Sequence, residues 1–227
     1  MTYPSPAFRE ERIEVLHAAI RELAFGLLVT HPVSGYATSY LPWELDAERG
    51  PFGTLVGHLA RYNPQWRDLG KGAPALAVLQ GPHAYVSPSW YPGKRDDPRQ
   101  VPTWNYLAVE ARGTLTAFDD EARLYDLLTR LTDHHERHRE HRWCVTDAPD
   151  DYVRAEMRHI VGIELRIESL IGRYKLSQNR SDADREGARA GLAAAPGERE
   201  RAVAEAMQRQ SAGQRATRRR DPSKRLD

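Results

Sequence analysis

The chain has 227 residues, 29% of them charged and 40% apolar, and 33 Lys and Arg against 32 Asp and Glu leave a net charge of +1. That balance fits a soluble protein with one sizeable domain plus extensions, and it excludes a polycation that would coat nucleic acid or an anionic membrane. There is no apolar run of about 20 residues for a membrane helix, no signal-peptide core, and only Cys144, so neither an intrachain disulfide nor a Cys-based metal site is available; the expected address is cytoplasmic, with no membrane partner.

Ile13, Leu16, Ile20 and Leu23 recur at helical spacing, which predicts an amphipathic helix over Phe8–Leu23. Phe25–Thr30 alternates as a strand. The turn His31–Gly35 and a returning strand Tyr36–Leu41 complete a hairpin. After a polar turn at Ala47–Pro51 comes a strand over Thr54–Arg61, then a short helical turn opened by Asn63-Pro64. Ala75–Gln80 is nearly all apolar and reads as a central strand, which Tyr85–Ser87 continues beyond Gly81-Pro82. Ser89–Pro102 is a long, proline-punctuated excursion, and Tyr106–Ala117 is the next strand. Asp119-Asp120 caps a helix with the stripe Leu124, Leu127, Leu128 and Leu131. A second helix over Asp147–Ile160 should turn Tyr152, Met157 and Ile160 inward, and Ile163–Leu170 alternates strictly as a strand. Two further helices are expected at about Asp182–Leu192 and Glu198–Gln210. The organisation is thus a domain over 1–180, a helical extension over 181–211 and a basic, disordered tail over 212–227. Six or more short strands with helices before, between and after them make an α+β, mainly-β chain built as a small antiparallel barrel.

The stretch Gly57–Tyr106 holds three of the five Trp, interleaved with Pro, Ser and Asn rather than with Leu and Val. Flat side chains beside hydroxyls, amides and cations describe the lining of a pocket for a planar, polar ligand. A run at His134, His138 and His141 has metal-ligand spacing on one helical face. Arg137, Arg139 and Arg142 crowd it and oppose a cation, so no metal is expected.

The phrases GTLVGHLARYNPQW, LQGPHAYVSPSWY, VPTWNY and KLSQNRS, in that order, resemble the PaiB family of FMN-binding negative transcriptional regulators. The resemblance runs from about Pro4 to Leu192. It implies the FMN-binding split β-barrel of the pyridoxamine phosphate oxidase and flavin reductase superfamily, with flanking helices. It also implies a homodimer with FMN in a cleft between subunits, acting as a transcriptional regulator that senses redox state or a metabolite through the flavin. Fold does not fix function. A flavin-dependent oxidoreductase acting on a small-molecule substrate, and a haem-binding protein with His58 or His83 as axial ligand, are the alternatives. Contact with DNA would fall to the basic tail from Arg215 to Arg225.

Within that resemblance Arg61, at a strand end beside Asn63 and Trp66, is the candidate phosphate ligand. His58 is a candidate flavin or substrate contact because Gly57 beside it permits close approach. Thr30, Ser39 and Tyr40 on the first hairpin offer polar groups to the ring. His83, Ser87, Ser89, Trp90 and Tyr91 are expected to close the cleft, with Trp90 and Trp104 packing the dimer interface as the alternative. Trp104 and Asn105 belong to the same pocket-lining stretch, and Lys175, Ser177, Gln178 and Asn179, a polar run after the last strand, are expected either to grip a phosphate or to bridge the dimer. No nucleophile–base pair stands out, so any chemistry would be the flavin's, with the protein positioning it.

Overall fold

The structure is a computed structural model that describes residues 5–220, with side chains as far as Ala212. In chain order its elements are β1 (Arg9–Glu10), α1 (Ile13–Leu23), β2 (Phe25–Thr30), β3 (Ala37–Pro42), β4 (Glu44–Asp46), β5 (Thr54–Ala60), β6 (Ala73–Val86), β7 (Thr103–Phe118), α2 (Glu121–Glu136), α3 (Asp150–Met157), β8 (Ile160–Lys175), α4 (Asp182–Ala194) and α5 (Glu198–Arg220), with short 3-10 turns between some of them. Eight strands share one sheet in the order β3-β2-β6-β7-β8-β5-β4, with β1 added beside β8. The ladders β2–β3, β2–β6, β4–β5 and β5–β8 are antiparallel.

The described chain divides into two compact units. One comprises Glu11–Gln80 and Val109–Gly172, the other Gly81–Ala108 with residues up to Glu10 and from Arg173 onward. In the first, the sheet curls until its two ends meet. A Cβ on Gly57 of β5 would stand 2.9 Å from Leu41 Cδ1, 3.0 Å from Pro42 O and 3.2 Å from the Trp43 ring, all at the far end of β3. The room beside His58 that the sequence suggested for a ligand is therefore filled by the chain itself. Leu28, Leu55, Leu79, Leu115, Ile163, Leu165 and Ile167 are wholly buried in this unit, where each apolar side chain contributes about 1.5–3 kcal/mol. On the other face of β5, Val56 packs under Leu127 and Leu131 of α2. Leu124 joins Val145, Val153 and Met157 in a second cluster, and Phe118 touches both. Asp120 is the N-cap of α2, its carboxylate accepting from Arg123 N at 2.8 Å.

Several elements differ from expectation. The first helix begins at Ile13, because residues 6–10 form a 3-10 turn and β1. β4 went unforeseen: three residues directly after Pro42 and Trp43 are too few to show a period. β6 runs unbroken through Gly81-Pro82, and β8 continues to Lys175. In both, the buried set changes phase partway, from Ile167 to Leu170 in β8, so a single alternating pattern cannot span the strand. α2 stops at Glu136, which removes His138 and His141 from any common helical face. Tyr152, expected inward, is exposed, and its neighbour Val153 takes the buried position. α5 extends to Arg220, past the predicted Gln210 and into the segment expected to be disordered; residues 221–227 of the basic tail lie outside the described residues.

Candidate functional site

The sequence-predicted residues fall into separate groups. In the first unit, Thr30 of β2, Ser39 of β3 and Asn63 are joined by a residue the sequence did not single out, the buried Gln65. Asn63 Nδ2 donates to Ser39 Oγ (2.8 Å), Ser39 Oγ donates to Gln65 Oε1 (2.5 Å), and Gln65 Nε2 donates to Thr30 Oγ1 (3.1 Å) and Ala37 O (3.2 Å). Asn63 Oδ1 caps the following 3-10 turn by accepting from Gln65 N at 2.9 Å. The network ties β2, β3 and that turn together along one wall of an ≈ 890 Å³ cleft, which His31–Ser34, Leu69 and Pro74 also line. Tyr40 is 70% exposed on β3, opposite Leu27, and takes no part in the network.

Arg61 lies in the same unit with four of its five N–H donors engaged. Nε donates to Arg158 O (2.7 Å), Nη1 to Asp119 Oδ2 (2.9 Å), and Nη2 to Asp119 Oδ1 (2.5 Å) and Ile160 O (2.8 Å). The fork clasps the end of β5 to the end of β7 and the start of β8. Those hydrogen bonds hold the Asp119 carboxyl below the usual carboxylate range. Trp66 braces the same corner, its Nε1 donating to Arg61 O at 3.0 Å. His58 shares the face of Val56, which α2 covers, and not that of Leu55 and Leu59. Its Nδ1 is buried without a hydrogen-bond partner, and burial pushes the imidazole pKa down. Neither the Thr30 cleft nor the cavity beside Lys175 includes it.

The second unit gathers the others. His83 and Tyr85 of β6 and Trp104 of β7 form an aromatic group on its surface, with ring centroids 5.7 Å apart for His83–Trp104 and 6.4 Å for Tyr85–Trp104. Trp104 is 52% exposed and Tyr85 49%. Ser87 caps a 3-10 turn, accepting from Ser89 N. Trp90 does not line a cleft with them; its indole lies against Gly191 of α4.

Around the end of β8 is an ≈ 330 Å³ cavity lined by Arg173, Lys175 and Arg180, together with Thr103, Asn105, Tyr106, Ser177, Asn179 and Phe8, and, among the described residues, by no carboxylate. Arg173 and Lys175 are two residues apart on one strand, so alternation puts them on the same face. Lys175 Nζ donates to Thr103 Oγ1 (2.6 Å), and Arg180 Nη1 to Gln100 Oε1 (2.7 Å), both neutral acceptors. Asn105 is 0% exposed and exchanges hydrogen bonds with Ser177 Oγ at 3.0 and 3.2 Å. Ser177 is held at φ 63°, a left-handed conformation that costs a non-glycine residue about 1 kcal/mol or more. That kink turns the chain so that Asn179 and Arg180 come back to the cavity rather than continuing the strand. Gln178 spends its amide on the backbone, donating to Tyr174 O and accepting from Leu176 N, and so braces the kink instead of facing a ligand. Among the cavity's cations the sequence reading found Lys175 and missed Arg173 and Arg180. The i, i+2 pairing of Arg173 with Lys175 was the available signal.

Three cations with hydroxyl and amide donors and no carboxylate suit a phosphate, whose oxygens accept charge-assisted hydrogen bonds from such groups. Tyr106 adds one flat surface. The residues present therefore fit the phosphate end of a flavin mononucleotide.

Residues 2–169 match a family described as "Putative FMN-binding domain". The protease synthase and sporulation protein PAI 2 of Bacillus subtilis is 32% identical over 177 residues, which cover 78% of this chain and 82% of that protein. An uncharacterized protein of Aspergillus fumigatus is 31% identical over 225 residues, covering 78% of this chain and 85% of that one. Among solved structures, the FAD and heme binding protein from Mycobacterium smegmatis aligns with a TM-score of 0.54 at 18% identity, over 81% of this chain and 80% of that chain. The flavocytochrome Anf3 from Azotobacter vinelandii aligns at 0.55 and 12% identity, over 76% and 72%. These likenesses show the fold, an antiparallel, mainly-β split barrel with flanking helices. Among the described residues no helix is long and apolar enough to cross a membrane. By the match over most of its length and by its B. subtilis relative, this chain belongs to the FMN-binding PaiB family.

Proposed function

We propose that the chain works as a dimeric flavoprotein regulator, holding the phosphate of FMN in the cavity formed by Arg173, Lys175 and Arg180. The observation that carries this reading is the convergence of three cations on one cavity whose described lining residues include no carboxylate. Lys175 and Arg180 are already oriented by neutral oxygens, so little side-chain freedom is lost on binding. Arg61 is not part of the grip, because its guanidinium is committed to Asp119 and two carbonyls. Bound flavin supplies reversible electron transfer, and the protein's part is to hold and orient it.

The exposed Tyr85 and Trp104, with the half-buried His83 beside them, support association of two copies, since flat aromatic side chains are enriched at such interfaces. A regulatory role is supported by the word sporulation in the name of the B. subtilis relative, the protease synthase and sporulation protein PAI 2. The second reading is an FMN-dependent oxidoreductase. It rests on the ≈ 890 Å³ cleft beside the Thr30–Gln65 network, which has room for a small molecule.

Titration of the purified protein with FMN, at several salt concentrations, tests the binding half. Affinity should fall as salt rises and fall again in Lys175→Ala. A DNA-shift assay beside a flavin-reduction assay separates the roles. Regulation predicts a salt-sensitive shift that depends on flavin state. Turnover with no shift under any flavin state would replace the regulator with the enzyme.

A further inference from the structure

We propose that α4 and α5 are a positioning element of the cationic cavity, setting the Ser177–Arg180 turn so that the site prefers a phosphorylated flavin over riboflavin. This rests on the reading of that cavity as the phosphate site. The family match ends at residue 169, before Arg173, so nothing in the match assigns a role to these helices.

The first line of contact runs through α4. The Arg180 guanidinium is aimed by two groups, Gln100 Oε1 at 2.7 Å and the face of Tyr91, whose ring centre lies 4.9 Å from Arg180 Cζ. Both belong to the loop between β6 and β7, and that loop is fastened to α4. Gly93 N donates to the buried carboxylate of Asp184 at 2.8 Å. A Cβ on Gly187 would fall 2.1 Å from Trp90 O, and a Cβ on Gly191 would fall 2.3 Å from the Trp90 ring. Two glycines about one turn apart thus let the loop backbone and the indole lie directly on the helix. A side chain there must push the loop away, and with it both groups that orient Arg180.

The second line runs through α5. Met207, 1% exposed, brings its Sδ to 3.5 Å from Nδ2 of Asn105, whose amide holds Ser177 in its left-handed kink. Lys175, by contrast, is aimed by Thr103 of β7, with no helix in the chain of contacts. The helices therefore act on Arg180 and the kink while leaving Lys175 in place.

The test uses the full chain and compares dissociation constants for FMN and for riboflavin, read from flavin fluorescence. In Gly191→Leu and Asp184→Ala, FMN should bind roughly tenfold more weakly while riboflavin changes by less than about twofold, because loss of one charged contact falls on the phosphate alone. General loosening of the fold would weaken both ligands together, and that result overturns the proposal. Circular dichroism checks folding, and if Gly191→Leu fails to fold, Asp184→Ala carries the test. If the folded variants keep the wild-type preference while Lys175→Ala abolishes it, the helices do not position the site and the cavity reading stands. If Lys175→Ala also keeps the preference, the cavity reading fails and this inference fails with it.

Discussion

Replacing Arg61 by Ala separates two accounts of the same residue. As a phosphate ligand, its loss would weaken FMN binding by roughly 1.5–3 kcal/mol, more than tenfold, and leave the fold alone. As a clasp, its loss is felt in stability. The side chains of Arg61 and Asp119 are 37% and 60% exposed, so the carboxylate rehydrates readily and the ion pair itself contributes at most about 1 kcal/mol. The carbonyls of Arg158 and Ile160 also lose their donors, at roughly 0.5–1.5 kcal/mol each, for a total of about 1–4 kcal/mol. Urea unfolding of Arg61→Ala should show that loss in the midpoint, with FMN affinity within about twofold of wild type. The clasp also carries a pH signature. Asp119 has its folded pKa lowered, so its contribution is present above the ordinary carboxylate pKa of about 4 and disappears as pH falls through the lower folded value. The stability gap between wild type and Asp119→Asn should be constant above about pH 5 and shrink in acid. A tenfold loss of FMN affinity with an unchanged urea midpoint would refute the clasp and restore Arg61 to the phosphate.

Further outcomes follow from the same geometry. Lys175→Ala should weaken FMN by roughly 10–100-fold and flatten its salt dependence, as read by fluorescence titration, since one of three cavity cations is removed. Leu127→Ala empties a wholly buried site under Val56 and should cost about 2–5 kcal/mol in chemical denaturation, with flavin affinity of the folded fraction unaltered. Gly162→Ala puts a Cβ 2.2 Å from the Phe118 ring, which α2 and α3 pack against, and should cost at least about 1–3 kcal/mol; wild-type thermal stability would show that the ring has room to move.

Much of the fold was legible because its signals are local. Phe25–Thr30 and Ala37–Pro42 alternate on either side of a turn, and Asp120 with the leucines of α2 announces a capped amphipathic helix. Where legibility failed, a distant partner or a change of phase decided the outcome. Gly57 looks like room for a ligand until Leu41, Pro42 and Trp43 are brought across the curled sheet. Arg61 has the position of a phosphate ligand, but Asp119, 58 residues away, takes its fork. Trp90 reads as a cleft residue, while its surface is spent on two glycines of a helix a hundred positions later. Lys175 was readable as a cation beside hydroxyls. Arg180 was harder, because only the left-handed turn at Ser177 returns it to the cavity.

The central claim is where the flavin phosphate sits, and a crystal structure of the full chain with FMN addresses it most directly. The account predicts phosphate density between Arg173, Lys175 and Arg180, with Arg61 still closed on Asp119. Phosphate bound instead beside Arg61 and Asn63, with the Asp119 clasp open, would contradict it.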